Sequence, residues 1–481
     1  MQLTVQSHIE QTVIEQTLHD CFQLQRKSFH QQGIETIAQR KQHLLNLKAL
    51  INNHREAIID ALNRDYGNRS RHETLLAEII TVTDDINGSI KHLKQWTKVQ
   101  KRHVDYSLYF GAKNRVIPQP LGVIGIIVPW NFPINLMFSQ LSAVFAAGNT
   151  AMVKMSENSR HLAELLIELS PKYFKAEKLQ IFDETGEVGI AFSKLPFDHL
   201  MFTGSGATGR KVMAAAAQNL TPVTLELGGK SPAVIDPEYP IEKAVERIMF
   251  VKQFNAGQIC TNVDYLFVHE SRLQAFIQAA SVWVQEHVPD IHSKDYTSVI
   301  DERAFQRLVH SLADAEAKGA SLINLNQQEP DAATRKFPLT LVLNSNDEME
   351  IDTRETFGPI LMVKTYQKPE DVVDYIVQRD RPLAFYPFSN NKSLVEFYIS
   401  RVMSGGVSVN DALFHVGQHD FPFGGVGASG MGHYHGYEGF LTFSKMRPVF
   451  YQAGFSSLKF LAPPYGKFAN WLLNLLIRMK S

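Results

Sequence analysis

Apolar residues recur at helical spacing through the first hundred positions, then give way to short continuous runs. Between Ile37 and Tyr66, Leu44, Leu47, Ile51, Ile58 and Leu62 fall on one helical stripe, and Gly67-Asn68 ends it. Leu75 to Trp96 repeats the pattern, and a Tyr-rich stretch, Val104 to Ile117, is read as a hairpin. From Pro120 the period changes. "LGVIGIIVPW" is continuously apolar, as in a strand buried on both faces. "NFPINLMFSQLSAVFAAG" follows as a helix stopped by Gly148, then "NTAMVKMSE" as a strand and "SRHLAELLIEL" as a helix. "KLQIFDETG", "EVGIAFSKL", "DHLMFTG" and "ATGRKVMAAAAQ" continue strand, helix, strand, helix. This alternation predicts a parallel sheet covered on both sides. It restarts after Leu227 with "SPAVID", a helix near Ile241 to Phe254, and "YLFVHE", which places a domain boundary there.

The string "MFTGSGATGR" sits at the last strand–helix turn of the first unit and spells Gly-x-Gly-x-x-Gly through Gly204, Gly206 and Gly209. Such a turn brings backbone close to a ligand, and the following helix start favours an anion. Taken alone, the acid further on, Glu226, reads as the ribose ligand of a dinucleotide fingerprint, or as a salt-bridged strand end.

Composition narrows the function class. The chain has 481 residues, more than one ordinary core, so two or three domains are expected. A net charge of -1 argues against a protein that lives by phosphate contacts to nucleic acid. Its two cysteines rule out a disulfide scaffold and fit a reducing compartment. The 18 histidines form no metal-ligand pattern, so no metal site is expected. With neither a signal-like start nor an apolar run of about 20 residues, the expectation is a cytoplasmic protein without a transmembrane segment.

Of the cysteines, Cys21 lies in a helical segment and reads as a small buried hydrophobe. Cys260, in "FNAGQICTN", follows a small polar turn and precedes Thr-Asn, a seat suited to a nucleophile. Four other strings accompany it: "VPWNFP" with Asn131, "TLELGGKSP" with Glu226, "ETFGPI" with Glu355 and Phe357, and "FPFGGVGASGMGHYHGYEG". In this order and spacing they resemble the aldehyde dehydrogenase superfamily, from about residue 25 to residue 465. The C-terminal string is similar to the branch of class 3, fatty-aldehyde and coniferyl-aldehyde dehydrogenases, most of all to the coniferyl members.

The resemblance implies an α/β fold of two doubly wound parallel-sheet domains plus a small β bridging and oligomerisation element. Residues 1–103 and 118–226 would bind NAD(P), 227–412 would carry catalysis, and 104–117 with 413–481 would bridge. It implies that Cys260 adds to an aldehyde, that Asn131 and the Cys260 N–H hold the oxyanion, and that Glu226 is the base. Asn131 alone would read as a helix cap. Lys154 and Glu157 of "MVKMSEN" match the pair on the adenosine ribose, favouring NAD and leaving NADP open. Trp130, Gly204, Ser205, Gly209, Leu227 and Gly228 fall at cofactor positions, and Glu355 and Phe357 at the nicotinamide side. Two departures stand out: Gly206 replaces a hydroxyl residue, and Arg354 stands where many relatives carry a second acid. A homodimer is expected, and coniferyl or a similar aromatic aldehyde is the substrate, with a medium- or long-chain fatty aldehyde as the alternative. Phe385, Tyr386, Phe414 and Phe421 are expected at the entrance. A non-catalytic structural protein and a thiol esterase are the rivals. The ending "PPYGKFANWLLNLLIRMKS" puts Trp471, Leu472, Leu475, Leu476 and Met479 on one helical face, for packing on the body or a second subunit, or for weak contact with a membrane surface.

Overall fold

The protein is described from a computed structural model that covers residues 2–185 and 188–481, without the side chains of residues 2–11 and Ser457. The start of the helix expected from "EVGIAFSKL", at Glu187, lies outside the described residues, and the helix itself is Val188–Ser193.

The helical opening is more broken than its stripe implies. Helix Gln2–Gln32 is followed by Ile37–Asn53 and Arg55–Tyr66, parted at His54, whose φ of -116 and ψ of 20 leave the helical region. Tyr173 holds the break, its hydroxyl meeting His54 Nε2 at 3.1 Å and Asn53 Nδ2 at 3.2 Å. The stretch read as one helix from Leu75 to Trp96 is a π-helical turn, Leu75–Ile80, running into the α-helix Thr81–Trp96.

Strands follow in chain order. β1 (Gln100–Arg102) and β2 (Lys113–Pro120) pair antiparallel, so the Tyr-rich stretch is mainly their connection. β3 (Val123–Ile127), β4 (Thr150–Lys154), β5 (Leu179–Phe182), β6 (His199–Gly204) and β7 (Val223–Leu227) form a parallel sheet in the order β7-β6-β3-β4-β5. After Gly228, Gly229 and Lys230 a second sheet begins with β8 (Ser231–Ile235) and β9 (Val263–His269). It continues with β10 (Ser321–Asn324), β11 (Thr340–Leu343), β12 (Ile360–Tyr366), β13 (Ala384–Phe388) and β14 (Gly406–Val407), ordered β10-β11-β12-β9-β8-β13-β14.

The last two strands redraw the limits expected for the bridging element. β15 (Gly430–Met431) pairs antiparallel with β7 at Glu226, so part of 413–481 belongs to the first sheet. β16 (Ser444–Tyr451) pairs with β2 along its whole length, and this small sheet reaches from Gln100 to Pro120, beyond 104–117 on both sides. The C-terminal helix is Lys467–Lys480.

The short β7–β8 link has a geometric consequence. It sets the C-terminal edge of the first sheet against the N-terminal edge of the second. Asn131, after β3, and Glu226, at the end of β7, thereby meet the loop of Cys260 and Glu355, which precede β9 and β12. Lys154 and Gly204 end β4 and β6 at the same edge of the first sheet. A crevice at strand ends is where open α/β sheets take ligands.

Candidate active site

Cys260 stands on a strained loop. After the helix Ile241–Gln253, Asn255, Ala256 and Gly257 have φ of 51, 48 and 70, the left-handed region that costs energy for residues with a Cβ. Side-chain hydrogen bonds hold it. Gln258 Nε2 donates to Asn255 O at 2.9 Å and Ser298 O at 3.1 Å, while Gln258 Oε1 accepts from Ile300 N at 2.9 Å. Asn262 Nδ2 donates to Gly257 O at 2.6 Å. A Cβ on Gly257 would lie 2.3 Å from Gly358 O, so backbone packing as well as φ demands glycine. The result presents a partly exposed thiol between buried Ile259 and Thr261.

Three acids share this compartment. Burial pushes the Cys260 thiol up to about 12, and the facing Glu355 and Glu226 add to the shift, against backbone N–H groups of Thr261 and Cys260. Glu226, at the end of β7, is 2% exposed with no hydrogen-bond partner on either oxygen, and burial holds its carboxyl well above the usual range. Glu355 is raised to about 8, by burial first and then by Asp264, with the Gly229 N–H, Lys230 and Arg307 opposing. Its carboxylate occupies the space over Gly228, where a Cβ would lie 2.1 Å from Oε2.

Asn131 is tied to the cysteine loop and is not the helix cap. The helix Pro133–Ala147 has Phe132 at its cap position, and Asn131 Nδ2 donates to Gln258 O at 3.2 Å. An amide carries two such hydrogens, so one is left for a ligand. The Asn131 carbonyl accepts from Tyr66 Oη at 3.1 Å and Asn255 Nδ2 at 3.3 Å.

Behind it lies a buried charge network that sequence patterning did not reveal. Arg69 and Glu78, both fully buried, pair at 3.0 Å, and the guanidinium lies over Tyr66 and Phe132 at 4.7 and 5.2 Å. Glu78 Oε2 accepts from Asn135 N at 2.7 Å. Glu73 accepts from the Asn255 backbone N–H and from Thr297. These groups tie the start of the helix Pro133–Ala147 to the Cys260 loop. Tyr434, also missed, is buried facing Glu226 and Cys260, beside the Gln140 amide. The only sequence trace of it is the Gly-rich string in which it lies.

On the cofactor side, Lys154 ends β4 and burial pulls its ammonium down to about 8. Its ion-pair partner is Glu184, whereas Glu157 is exposed. Ser205 caps the helix Gly206–Ala217, accepting from Thr208 N at 3.3 Å. Gly209 and Gly204 serve close packing, since a Cβ on either would lie 2.7 Å from Leu227 and Phe202 respectively. Leu227 N donates to Ser429 O at 3.1 Å. Trp130 is half-buried, edge-on to Tyr66 at 6.1 Å and to Phe357 at 5.5 Å. Phe357, at φ 44, has its carbonyl turned to Arg307 at 3.4 Å. This donor set would fit a dinucleotide: a lysine and carboxylates able to take a ribose diol, a capped and glycine-lined helix start, and aromatic rings beside them.

The entrance aromatics sort differently from expectation. Phe385 is fully buried against Tyr398, inside the second sheet's core, and is removed from the entrance set. Tyr386, equally buried, leaves the entrance set as well and donates to Thr261 O at 2.6 Å beside the cysteine. Phe421 is 54% exposed. Phe414 begins a row the sequence did not show: it stacks on Phe250 at 6.1 Å, Phe250 meets Phe254 at 5.6 Å, and Phe254 stacks on Phe132 at 6.3 Å. Among the described residues no cluster of His, Cys, Asp and Glu could hold a metal ion, and no helix is long and apolar enough to cross a membrane.

Residues 11–449 match the profile described as "Aldehyde dehydrogenase family". The chain is 45% identical over 451 residues to a "probable coniferyl aldehyde dehydrogenase" of Pseudomonas aeruginosa, covering 94% of each. It is 42% identical over 458 residues to a coniferyl aldehyde dehydrogenase of Pseudomonas sp. strain HR199, again covering 94% of each. Among solved structures it superposes on a substrate-bound Staphylococcus aureus AldH with a TM-score of 0.89 and 34% identity, covering 95% of this chain and 99% of that one.

Proposed function

The chain belongs to the aldehyde dehydrogenase family and is an NAD(P)-dependent aldehyde oxidoreductase; on that premise we propose that it oxidises coniferyl aldehyde, or a similar aromatic aldehyde, through a thioester on Cys260. The observation that carries the reading is the meeting of a partly exposed thiol, an unpartnered buried carboxyl and an anchored amide in the crevice between the two sheets.

Sγ of Cys260 bonds to the aldehyde carbon as the thiol proton passes to the deprotonated Glu226 carboxylate. The carbonyl oxygen becomes an oxyanion, held by the second Asn131 N–H and the Cys260 N–H. NAD+, when bound, supplies the acceptor for the hydride that leaves this carbon. With the C=O restored as a thioester and the thiol proton released from Glu226 to solvent, Glu226 takes a proton from water, whose oxygen bonds to the carbon. The C–S bond breaks, the acid leaves, and Cys260 regains its proton. On this reading the first sheet with the N-terminal helices holds the cofactor, and the second sheet carries the nucleophile.

The row Phe414–Phe250–Phe254–Phe132 supports a flat ring as substrate, because offset and edge contacts reward planar partners. A medium- or long-chain aldehyde is the second reading, favoured by the exposed apolar residues Phe468, Trp471, Ile477 and Met479 of the C-terminal helix. The test is absorbance at the reduced-nicotinamide band with NAD+ and aldehydes from cinnamyl type and benzaldehyde to hexanal and tetradecanal. The expected order puts the cinnamyl type first. A signal with the aliphatic aldehydes alone would overturn the substrate, and ester hydrolysis without any such signal would overturn the reaction.

A further inference from the structure

We propose that Glu184 is a cofactor-specificity residue, which keeps the ribose subsite for a dinucleotide with a free 2′-hydroxyl by holding the charge of Lys154. The proposal rests on the reading that Lys154 and Glu157 line that subsite. Glu184 lies just beyond β5, and β5 pairs with β4 in the register Phe182↔Lys154, so the two side chains emerge from neighbouring strand ends. Glu184 is held at both oxygens: Oε2 pairs with Lys154 Nζ, and Oε1 accepts from Gly189 N at 3.2 Å. Both side chains are largely withdrawn from water, 9% exposed for Lys154 and 18% for Glu184. Gly189 leaves the room they need, since a Cβ there would lie 2.9 Å from Glu184 Oε2 and 3.3 Å from Lys154 Nζ.

The charge count follows. Among the described residues, the charged groups facing Lys154 are the acids Glu184 and Glu157, so one ammonium faces two carboxylates. A ribose diol brings no charge and can donate to either acid. A 2′-phosphate brings roughly -1.5 to -2 charges, finds the ammonium already paired, and meets a net negative wall. Glu157 alone, being exposed, is screened by solvent; the buried pair gives the discrimination its strength.

Calorimetric titration of the full chain with ADP-ribose and with 2′-phospho-ADP-ribose reads this directly, because neither fragment turns over. The wild type should prefer ADP-ribose, and Glu184→Gln, which keeps an acceptor for Gly189 N, should narrow that preference about tenfold through tighter binding of the 2′-phosphate. Glu184→Ser, checked by its melting temperature, serves if the glutamine variant is poorly folded. An unchanged ratio in these variants while Glu157→Gln shifts it overturns the role of Glu184 and leaves the ribose reading standing. No shift in any variant overturns both. Equal weakening of both fragments, or a wild type without preference, also overturns the proposal.

Discussion

Cys260 and Glu355 oppose each other through charge, and the sign of that opposition can be followed with pH. The thiol is pushed up to about 12 and Glu355 to about 8, each chiefly by burial. Below pH 8 Glu355 is mostly protonated, so alkylation of Cys260 by iodoacetamide in the cofactor-free protein should rise nearly tenfold per pH unit with the thiolate fraction. Above that, ionised Glu355 disfavours the thiolate and the slope should flatten. Glu355→Gln should react faster and keep the full slope, as read by mass spectrometry of the labelled peptide. Glu226→Gln separates two chemistries. As the base it should keep NAD affinity, lose about 10²–10⁴-fold in kcat, and accumulate an acyl adduct on the intact protein; a ribose ligand would lose the affinity instead. Asn131→Ala should cost about 10²–10³-fold in rate while leaving alkylation unchanged. The meeting of Cys260, Glu226 and Asn131 was legible because each sits in a short telling string. Glu184 and Tyr434 were not, because sheet register and a long return of the chain bring them to the site.

Among the elements, the π-turn Leu75–Ile80 and the break at His54 mark where periodicity misled. Both stretches keep an apolar stripe, yet distant residues make contacts there that periodicity does not show: Tyr173 at the break, Asn135 on Ala77 and Glu78 in the turn. Arg69→Leu leaves Glu78 buried and unpaired, and should cost about 3–5 kcal/mol in urea denaturation. Arg69→Met combined with Glu78→Leu should recover most of that stability. If the network also positions Asn131, the repacked protein should still show a lowered kcat, which a purely stabilising pair would not cause. The strand–helix alternation from Pro120 to Val268 was legible, because β3, β4, β8 and β9 are buried on both faces and read as short continuous apolar runs.

For the whole molecule, the small sheet β1-β2-β16 and the C-terminal helix leave much apolar surface in a single chain. Leu476 and Ala469 are the helix's buried residues, Lys480 is paired with Asp105, and Trp471 and Met479 are 58% and 63% exposed. The face expected to pack therefore does so only in part within one chain. The protein should sediment as a dimer, and deletion of the residues after Pro464 should shift it towards monomer without changing partitioning onto lipid vesicles. Unchanged sedimentation together with lost vesicle binding would replace a subunit with a membrane surface as the cover. What the sequence determined by itself was the order of elements, the mainly parallel sheets and the short strings expected to carry the chemistry, since periodicity and turn residues act over a few positions. Only the tertiary structure decided that Asn131 braces the cysteine loop, that Lys154 pairs with Glu184, and that Glu355 presses on the thiol. The first and third depend on which strand edges face each other across the Gly-Gly link, the second on the register of β4 and β5, and no local pattern records a contact made at such distance.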